Sequence, residues 1–214
     1  MQITPAILAH TADEAFARLF HSDLPGQPMF HLDVLDGSLF GATCFADPKV
    51  IAAWSPLPKL ELHLMVNHPL RVLEAWLAQG IVPAQVIVHA EITHPITPTL
   101  SYAQQHGSKT LLAISGDTVP DDALPCLPLI QEFLVMGVPP GGSGRDFLGE
   151  PALAKVRRLR KLFPNIPVAV DGGVSHATLP EIAKAGATRC VVGSAIWQSW
   201  SPQQAFLDLQ QVDL

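Results

Sequence analysis

Phe30-His31-Leu32-Asp33-Val34-Leu35-Asp36-Gly37 sets an imidazole and two carboxylates into an apolar run of strand length. Side chains alternate faces along a strand, so His31 and Asp33 share one face. Buried there without partners, such groups cost several kcal/mol, roughly, unless something binds them. The pattern recurs in Leu60-Glu61-Leu62-His63-Leu64-Met65-Val66 and in Val168-Ala169-Val170-Asp171-Gly172-Gly173. Two histidines and two aspartates at or near the ends of predicted strands are what a divalent metal site with acid–base carboxylates requires. With no thiolate in the set, His31, Asp33, His63 and Asp171 suit one divalent ion, Zn, Mn, Fe or Co. Four protein ligands leave coordination positions where two adjacent substrate oxygens could bind. Asp36 points to the opposite face and, with Gly37, reads as a turn residue that bonds its own backbone.

Three separated segments can meet only if the chain brings strand ends together. Short runs rich in Val, Ile, Leu and Phe alternate with longer helical patterns, which predicts repeated βα units on a parallel sheet. The predicted strands are Gln2–Leu8, Met29–Val34, Lys59–Met65, Ala84–His89, Lys109–Ile114, Glu132–Val138, Pro167–Val170 and Arg189–Val192. The predicted helices are Thr11–Phe20, Pro48–Trp54, Pro69–Gln79, Thr97–His106, Asp121–Leu127, Pro151–Leu162, Ser175–Ala185 and Pro202–Leu209. Pro48, Pro69, Pro151 and Pro202 fit first helical turns, and Gly80, Gly107 and Gly186 fit helix ends. Eight strands and eight helices in alternation predict an α/β fold, the (β/α)8 TIM barrel, as a single domain over residues 1–214. A doubly wound sheet is the alternative, disfavoured by the even spacing and by the lack of a first-turn Gly-x-Gly-x-x-Gly.

In such a barrel His31, Asp33, His63, His89 and Asp171 all fall at C-terminal strand ends, where catalytic groups of this fold collect. Three glycine-rich loops share that edge: Met136-Gly137-Val138-Pro139-Pro140-Gly141-Gly142-Ser143-Gly144, Asp171-Gly172-Gly173-Val174-Ser175-His176 and Val192-Gly193-Ser194-Ala195-Ile196. Glycine lets backbone N–H groups close on an anion, and a short helix begun at Ser194 would aim its N-terminus there. Loops after strands seven and eight are a common phosphate grip of the fold, so a phosphate-binding barrel is expected. Arg145 could add charge, or simply face water.

The chain has 214 residues, 48% of them hydrophobic, enough for a full core. A formal net charge of −6 argues against nucleic acid or an anionic membrane as partner. Cys44, Cys126 and Cys190 are an odd number without close spacing and sit in apolar company, which reads as buried free thiols in a reducing compartment. Met1-Gln2-Ile3-Thr4-Pro5 carries no export signal, and the apolar runs are too short to span a membrane, so a cytoplasmic protein is expected.

These motifs resemble, in order from Pro5 to Trp197, the ribulose-phosphate 3-epimerase family. The family's His-x-Asp-x-x-Asp matches His31 to Asp36, its His-Leu-Met matches His63-Leu64-Met65, its Asp-Gly-Gly-Val matches Asp171-Gly172-Gly173-Val174, and its Gly-Ser-Ala-Ile matches Gly193-Ser194-Ala195-Ile196. The resemblance implies that His31, Asp33, His63 and Asp171 hold the metal, and that Asp33 and Asp171 serve as paired acid and base. It also implies phosphate binding by Gly141, Gly142, Ser143, Gly144, Gly172, Gly173, Gly193 and Ser194. Met65 and Met136 would line the reacting centre, and His89 is expected there too. The implied activity is 3-epimerisation of a ketose phosphate, D-ribulose 5-phosphate by default, in a homodimer or homohexamer.

Departures from the family pattern cluster around the substrate. The family's Pro-Ser-Ile-Leu-Ser is Pro5-Ala6-Ile7-Leu8-Ala9, so a substrate-facing hydroxyl is gone at Ala6. Its Val-Pro-Asn is Phe40-Gly41-Ala42, its Asn-Pro-x-Thr is Ser115-Gly116-Asp117-Thr118, and the 139–144 loop has its own order. A related substrate such as allulose 6-phosphate is therefore an alternative, as is a non-catalytic sugar-phosphate-binding barrel. A lyase of the decarboxylase or hexulose-phosphate synthase kind would need a lysine that neither Val34 nor Leu35 supplies.

Overall fold

In this computed structural model, residues 1–20, 23–26, 28–115 and 126–212 are described. Eight strands, β1 (Gln2–Ile7), β2 (Phe30–Leu35), β3 (Leu60–Met65), β4 (Gln85–His89), β5 (Lys109–Ile114), β6 (Glu132–Met136), β7 (Val168–Asp171) and β8 (Arg189–Val192), close into a parallel barrel in chain order. The helices are α1 (Ala12–Phe20), α2 (Pro48–Ala52), α3 (Pro69–Leu77), α4 (Thr97–Gln105), α5 (Glu150–Leu162), α6 (Leu179–Lys184), α7 (Ser194–Trp197) and α8 (Pro202–Gln210). The (β/α)8 architecture expected from the sequence is the architecture observed. The predicted helix Asp121–Leu127 lies, up to residue 125, outside the described residues, and residues 126–129 form a 3₁₀ turn.

Local chemistry sets the element ends. Prolines occupy the first turn of α2, α3, α5 and α8, where an N–H would lack a partner anyway. Gly107 and Gly186 follow α4 and α6 with φ of 88° and 103°, a left-handed bend that lets the chain drop into the next strand. Helix α6 starts at Leu179, four residues later than the periodicity suggests. Ser175 N donates to Thr178 Oγ1 at 2.9 Å, and this local bond holds a turn in place of the first helical turn. Strand β6 stops at Met136 rather than Val138: Gly137 N still continues the ladder to Asp171 O at 2.6 Å, but its carbonyl leaves the sheet and accepts from Leu148 N at 2.8 Å.

Strand periodicity sorts the core into two layers. Phe30, Leu32 and Val34 on β2, and Val168 and Val170 on β7, face the helices, within the larger apolar cluster. Ala6, Ile87, Leu111, Ala113, Leu134, Met136, Ala169 and Val191 form a smaller cluster of their own. By the same period-two rule, these residues share the inner face with His31, Asp33, Glu61, His63, Asp171 and Arg189.

That interior holds a charged network beneath the site. Arg189 donates through Nη1 to Glu61 Oε1 at 2.9 Å and through Nε to Glu132 Oε1 at 2.9 Å, and Lys109 Nζ donates to Glu132 Oε2 at 2.8 Å. Arg189, Glu61 and Glu132 are all buried. Removing one partner of a buried pair strands the other charge, so Arg189→Met is expected to cost about 3–5 kcal/mol in urea unfolding. A variant as stable as the unaltered chain would show the network to be dispensable.

Candidate metal centre and active site

Register carries the four donors to one end of the barrel. Pairing of β2 with β3 sets Asp33 beside His63, and pairing of β6 with β7 sets Met136 beside Asp171. His31 Nε2 lies 3.0 Å from His63 Nδ1 and 3.2 Å from Asp33 Oδ1, and His63 Nδ1 lies 3.0 Å from Asp33 Oδ1. Asp171 Oδ2 is 3.8 Å from His31 Nε2 and 3.6 Å from His63 Nδ1. One donor atom from each of the four residues lies within 4.8 Å of the others, and all four residues are buried. A cation holding N and O ligands at about 2.0–2.2 Å separates neighbouring donors by roughly 3.0–3.5 Å, so the spacing fits.

The chemistry of the set fits as well. His31 donates from Nδ1 to Glu61 Oε1 at 2.6 Å, which leaves Nε2 as the nitrogen that faces the cluster. Burial disfavours the His31 imidazolium, yet bonds to Asp33 and Glu61 and the nearby Asp171 charge outweigh it and push the pKa up to about 10. That raised pKa reflects three carboxylates gathered around one ring. Burial also opposes the Asp33 carboxylate, but bonds from His31 and His63 hold its pKa well below the usual range. Asp171 is pushed up to about 7, chiefly by burial, with the Asp33 charge adding to it. Burial lowers the pKa of His63, which keeps that ring neutral and able to offer a lone pair.

Above the cluster opens a cavity enclosing about 750 Å³, mouth included, within the range of small-molecule sites. Asp33, Asp171, Met65 and Met136 form part of its lining, as do Gly141, Gly142, Ser143, Gly144, Gly172, Gly173, Gly193 and Ser194. Gly173 has φ 67°, and a Cβ there would lie 2.6–2.8 Å from Phe147, so no other residue fits this turn without displacement. Ala6 also lines the cavity, and its carbonyl accepts from Trp197 Nε1.

His89 is placed differently from the expectation. It does not line the cavity: it is fully buried, with Nε2 2.8 Å from His63 Nε2, on the side of that ring facing away from the cluster. The strand period puts it on the inner face, but there its ring bonds to the back of His63 rather than opening on the cavity. Cys44 is only half-buried, and its thiol donates to Asp33 O at 3.1 Å rather than packing in apolar company. Asp36 makes the expected turn, its Oδ1 accepting from Ser38 N at 2.9 Å. Arg145 lines the cavity and donates to Pro139 O at 3.1 Å.

Four further residues surround the site: Glu61, Arg189, Glu91 and Arg18. Glu61 is two residues before His63 on the same strand face, so periodicity could have found it. Arg189 precedes Val191 on the inner face in the same way. Glu91 lies beyond the end of β4, where no period applies, and Arg18 reaches the cavity from the last turn of α1.

Residues 2–197 match a family described as the ribulose-phosphate 3 epimerase family. The ribulose-phosphate 3-epimerase of Mycobacterium leprae is 31% identical over 217 residues, 98% of this chain and 93% of that one. That of Schizosaccharomyces pombe is 31% identical over 189 residues, 86% of this chain and 82% of its own. Among solved structures, the 3-hexulose-6-phosphate synthase from Salmonella typhimurium superposes with a TM-score of 0.71 at 18% identity, covering 99% of this chain and 98% of that chain. At that identity the likeness concerns the fold alone.

Proposed function

Because this chain belongs to the ribulose-phosphate 3-epimerase family, we propose that it inverts C3 of a ketose phosphate, D-ribulose 5-phosphate to D-xylulose 5-phosphate, at a divalent metal centre. The observation that carries this reading is the pair Asp33 and Asp171. Both carboxylates line the cavity beside two histidines, on strands that are not neighbours, with donor oxygens inside one 4.8 Å cluster. Inversion at a carbon next to a ketone needs one base on each face: one carboxylate takes the C3 proton and the other returns a proton from the opposite side. A divalent cation, when bound, supplies positive charge where negative charge develops on two neighbouring oxygens. His31 and His63, with the two aspartates, would hold it. The backbone N–H groups of Gly141–Gly144, Gly172, Gly173, Gly193 and Ser194 would receive the phosphate, and Met65 and Met136 would close the reacting centre to water.

A second reading, epimerisation of allulose 6-phosphate, is favoured by Ala6, a small residue on the cavity wall that leaves room for a longer sugar. Incubating metal-replete protein with either substrate in deuterated water separates the two. We expect deuterium at C3 of ribulose 5-phosphate and its xylulose epimer. Incorporation only into the hexulose phosphate would move the substrate assignment, and none into either would overturn the activity.

A further inference from the structure

His63 serves a cation only through a lone pair, and a neutral imidazole has one lone pair and one N–H. The partner of the second nitrogen decides which nitrogen carries the hydrogen. His63 Nδ1 faces Asp33 and His31, and Nε2 lies 2.8 Å from His89 Nε2. Two ring nitrogens so close share a single hydrogen, so one ring donates and the other accepts. His89 Nδ1 lies 3.0 Å from Glu91 Oε2, and a carboxylate can only accept. His89 therefore carries its hydrogen on Nδ1 and accepts at Nε2. The hydrogen between the rings belongs to His63 Nε2, which leaves the Nδ1 lone pair turned into the cluster.

The remaining geometry supports this chain of bonds. The two ring planes differ by 16°, which keeps the N–H of one close to the lone-pair plane of the other. Phe40 packs edge-on against His89 at 4.8 Å between centroids. Glu91 Oε1 accepts from Ser115 N at 2.7 Å, so the carboxylate is anchored at its far end.

We propose that Glu91, acting through His89, is a positioning residue that fixes His63 in the tautomer whose Nδ1 faces the cation. The inference rests on His63 being a metal ligand, as the proposed function has it. Glu61 does the same for His31 by direct contact. The second arm differs in running through another imidazole, so it also passes the orientation of one ring to the next.

The test measures Zn²⁺ affinity by competition with a chromophoric chelator for the unaltered protein and for Glu91→Leu, His89→Phe and Glu91→Gln. Circular dichroism of the metal-free proteins checks the fold. Glu91→Leu and His89→Phe are expected to bind Zn²⁺ about 10–100-fold more weakly, whereas Glu91→Gln, with one oxygen for the two donors His89 Nδ1 and Ser115 N, should be weakened too, by no more than the leucine variant. A folded Glu91→Leu or His89→Phe with unchanged affinity overturns the proposal. Should the leucine or phenylalanine variant not fold, ¹⁵N shifts of histidine in the unaltered zinc-loaded protein decide: the proton must sit on His63 Nε2 and His89 Nδ1, and any other placement is fatal. Epimerase turnover of the unaltered protein is followed in parallel. Zinc bound without turnover refutes the activity while leaving the relay standing, and failure of the unaltered chain to bind zinc refutes both.

Discussion

Asp171→Asn is expected to slow epimerisation about 10³–10⁴-fold while exchange of the C3 hydrogen with solvent survives for one of the two epimers. The asymmetry follows from two carboxylates sharing one reaction. With Asp171 neutralised, Asp33 can still remove the C3 hydrogen that faces it and return a solvent hydron to the same side. Product of the other configuration needs a donor on the opposite face, and asparagine donates no proton of suitable acidity. Asp33→Asn should show the mirror image, exchange confined to the other epimer. The measurement is NMR of each epimer in deuterated water. Equal exchange of both epimers by either variant would mean that one base serves both faces, and full turnover by Asp171→Asn would remove that residue from the chemistry. An amide oxygen remains to meet a cation in each variant, so metal content should be assayed alongside and found near that of the unaltered protein.

The sequence made the barrel legible because its strands carry a strong signal. Runs such as Val168–Val170 are apolar throughout, and the buried faces of a parallel sheet demand that. Proline at helix starts and glycine at helix ends then fixed most boundaries to within a residue or two, as at Pro69 and Gly107. The exceptions have local causes. The turn at Ser175–Thr178 delays α6 through a side-chain bond that periodicity does not weigh, and β6 ends early where the Gly137 carbonyl leaves the sheet for Leu148 N.

Of the candidate site, polar residues in apolar strands were readable because their type contradicts their surroundings. His31, Asp33, His63 and Asp171 stand out for that reason, and strand register together with closure of the barrel brings them together. Their supporting groups were less visible. Glu61 has the same signature as His63 but reads as an isolated charge until Arg189, on a strand far away in sequence, is seen to pair with it. His89 carries the same signature as the ligands, and only the three-dimensional packing shows it behind His63 rather than at the cavity. Glu91 stands past a strand end, where no pattern constrains which way a side chain turns.

Stripping divalent ions from the protein is expected to cost about 10³-fold or more in turnover, because the charge that offsets the developing oxyanions goes with them. Stability should then depend on pH in a direction the four donors fix. The His31 pKa is raised from 6.5 to about 10 in the folded, metal-free chain, so its contribution is complete below about pH 6.5 and is lost as pH climbs toward 10. Asp171, raised to about 7, has the same sign and is largely spent by pH 7. His63 and His89 have lowered values, so they act only as pH falls below 6.5, and Asp33, Glu61 and Glu91 act below the ordinary carboxylate range. From pH 7 to 8.5 the residual protonation of Asp171 fades, and His31 becomes the main group of this cluster left to titrate. Metal-free protein should therefore lose up to about 1.4 kcal/mol per pH unit across that window, one proton's worth. Metal-loaded protein has exchanged that proton for the cation and should hold a nearly constant Tm. The gap between the two melting temperatures should widen with pH, and calorimetry in buffers of differing ionisation enthalpy should find about one proton released per cation bound near pH 8. A gap that narrows with pH, or full turnover after chelation with the metal content shown to be negligible, would remove the cation from the centre of this site.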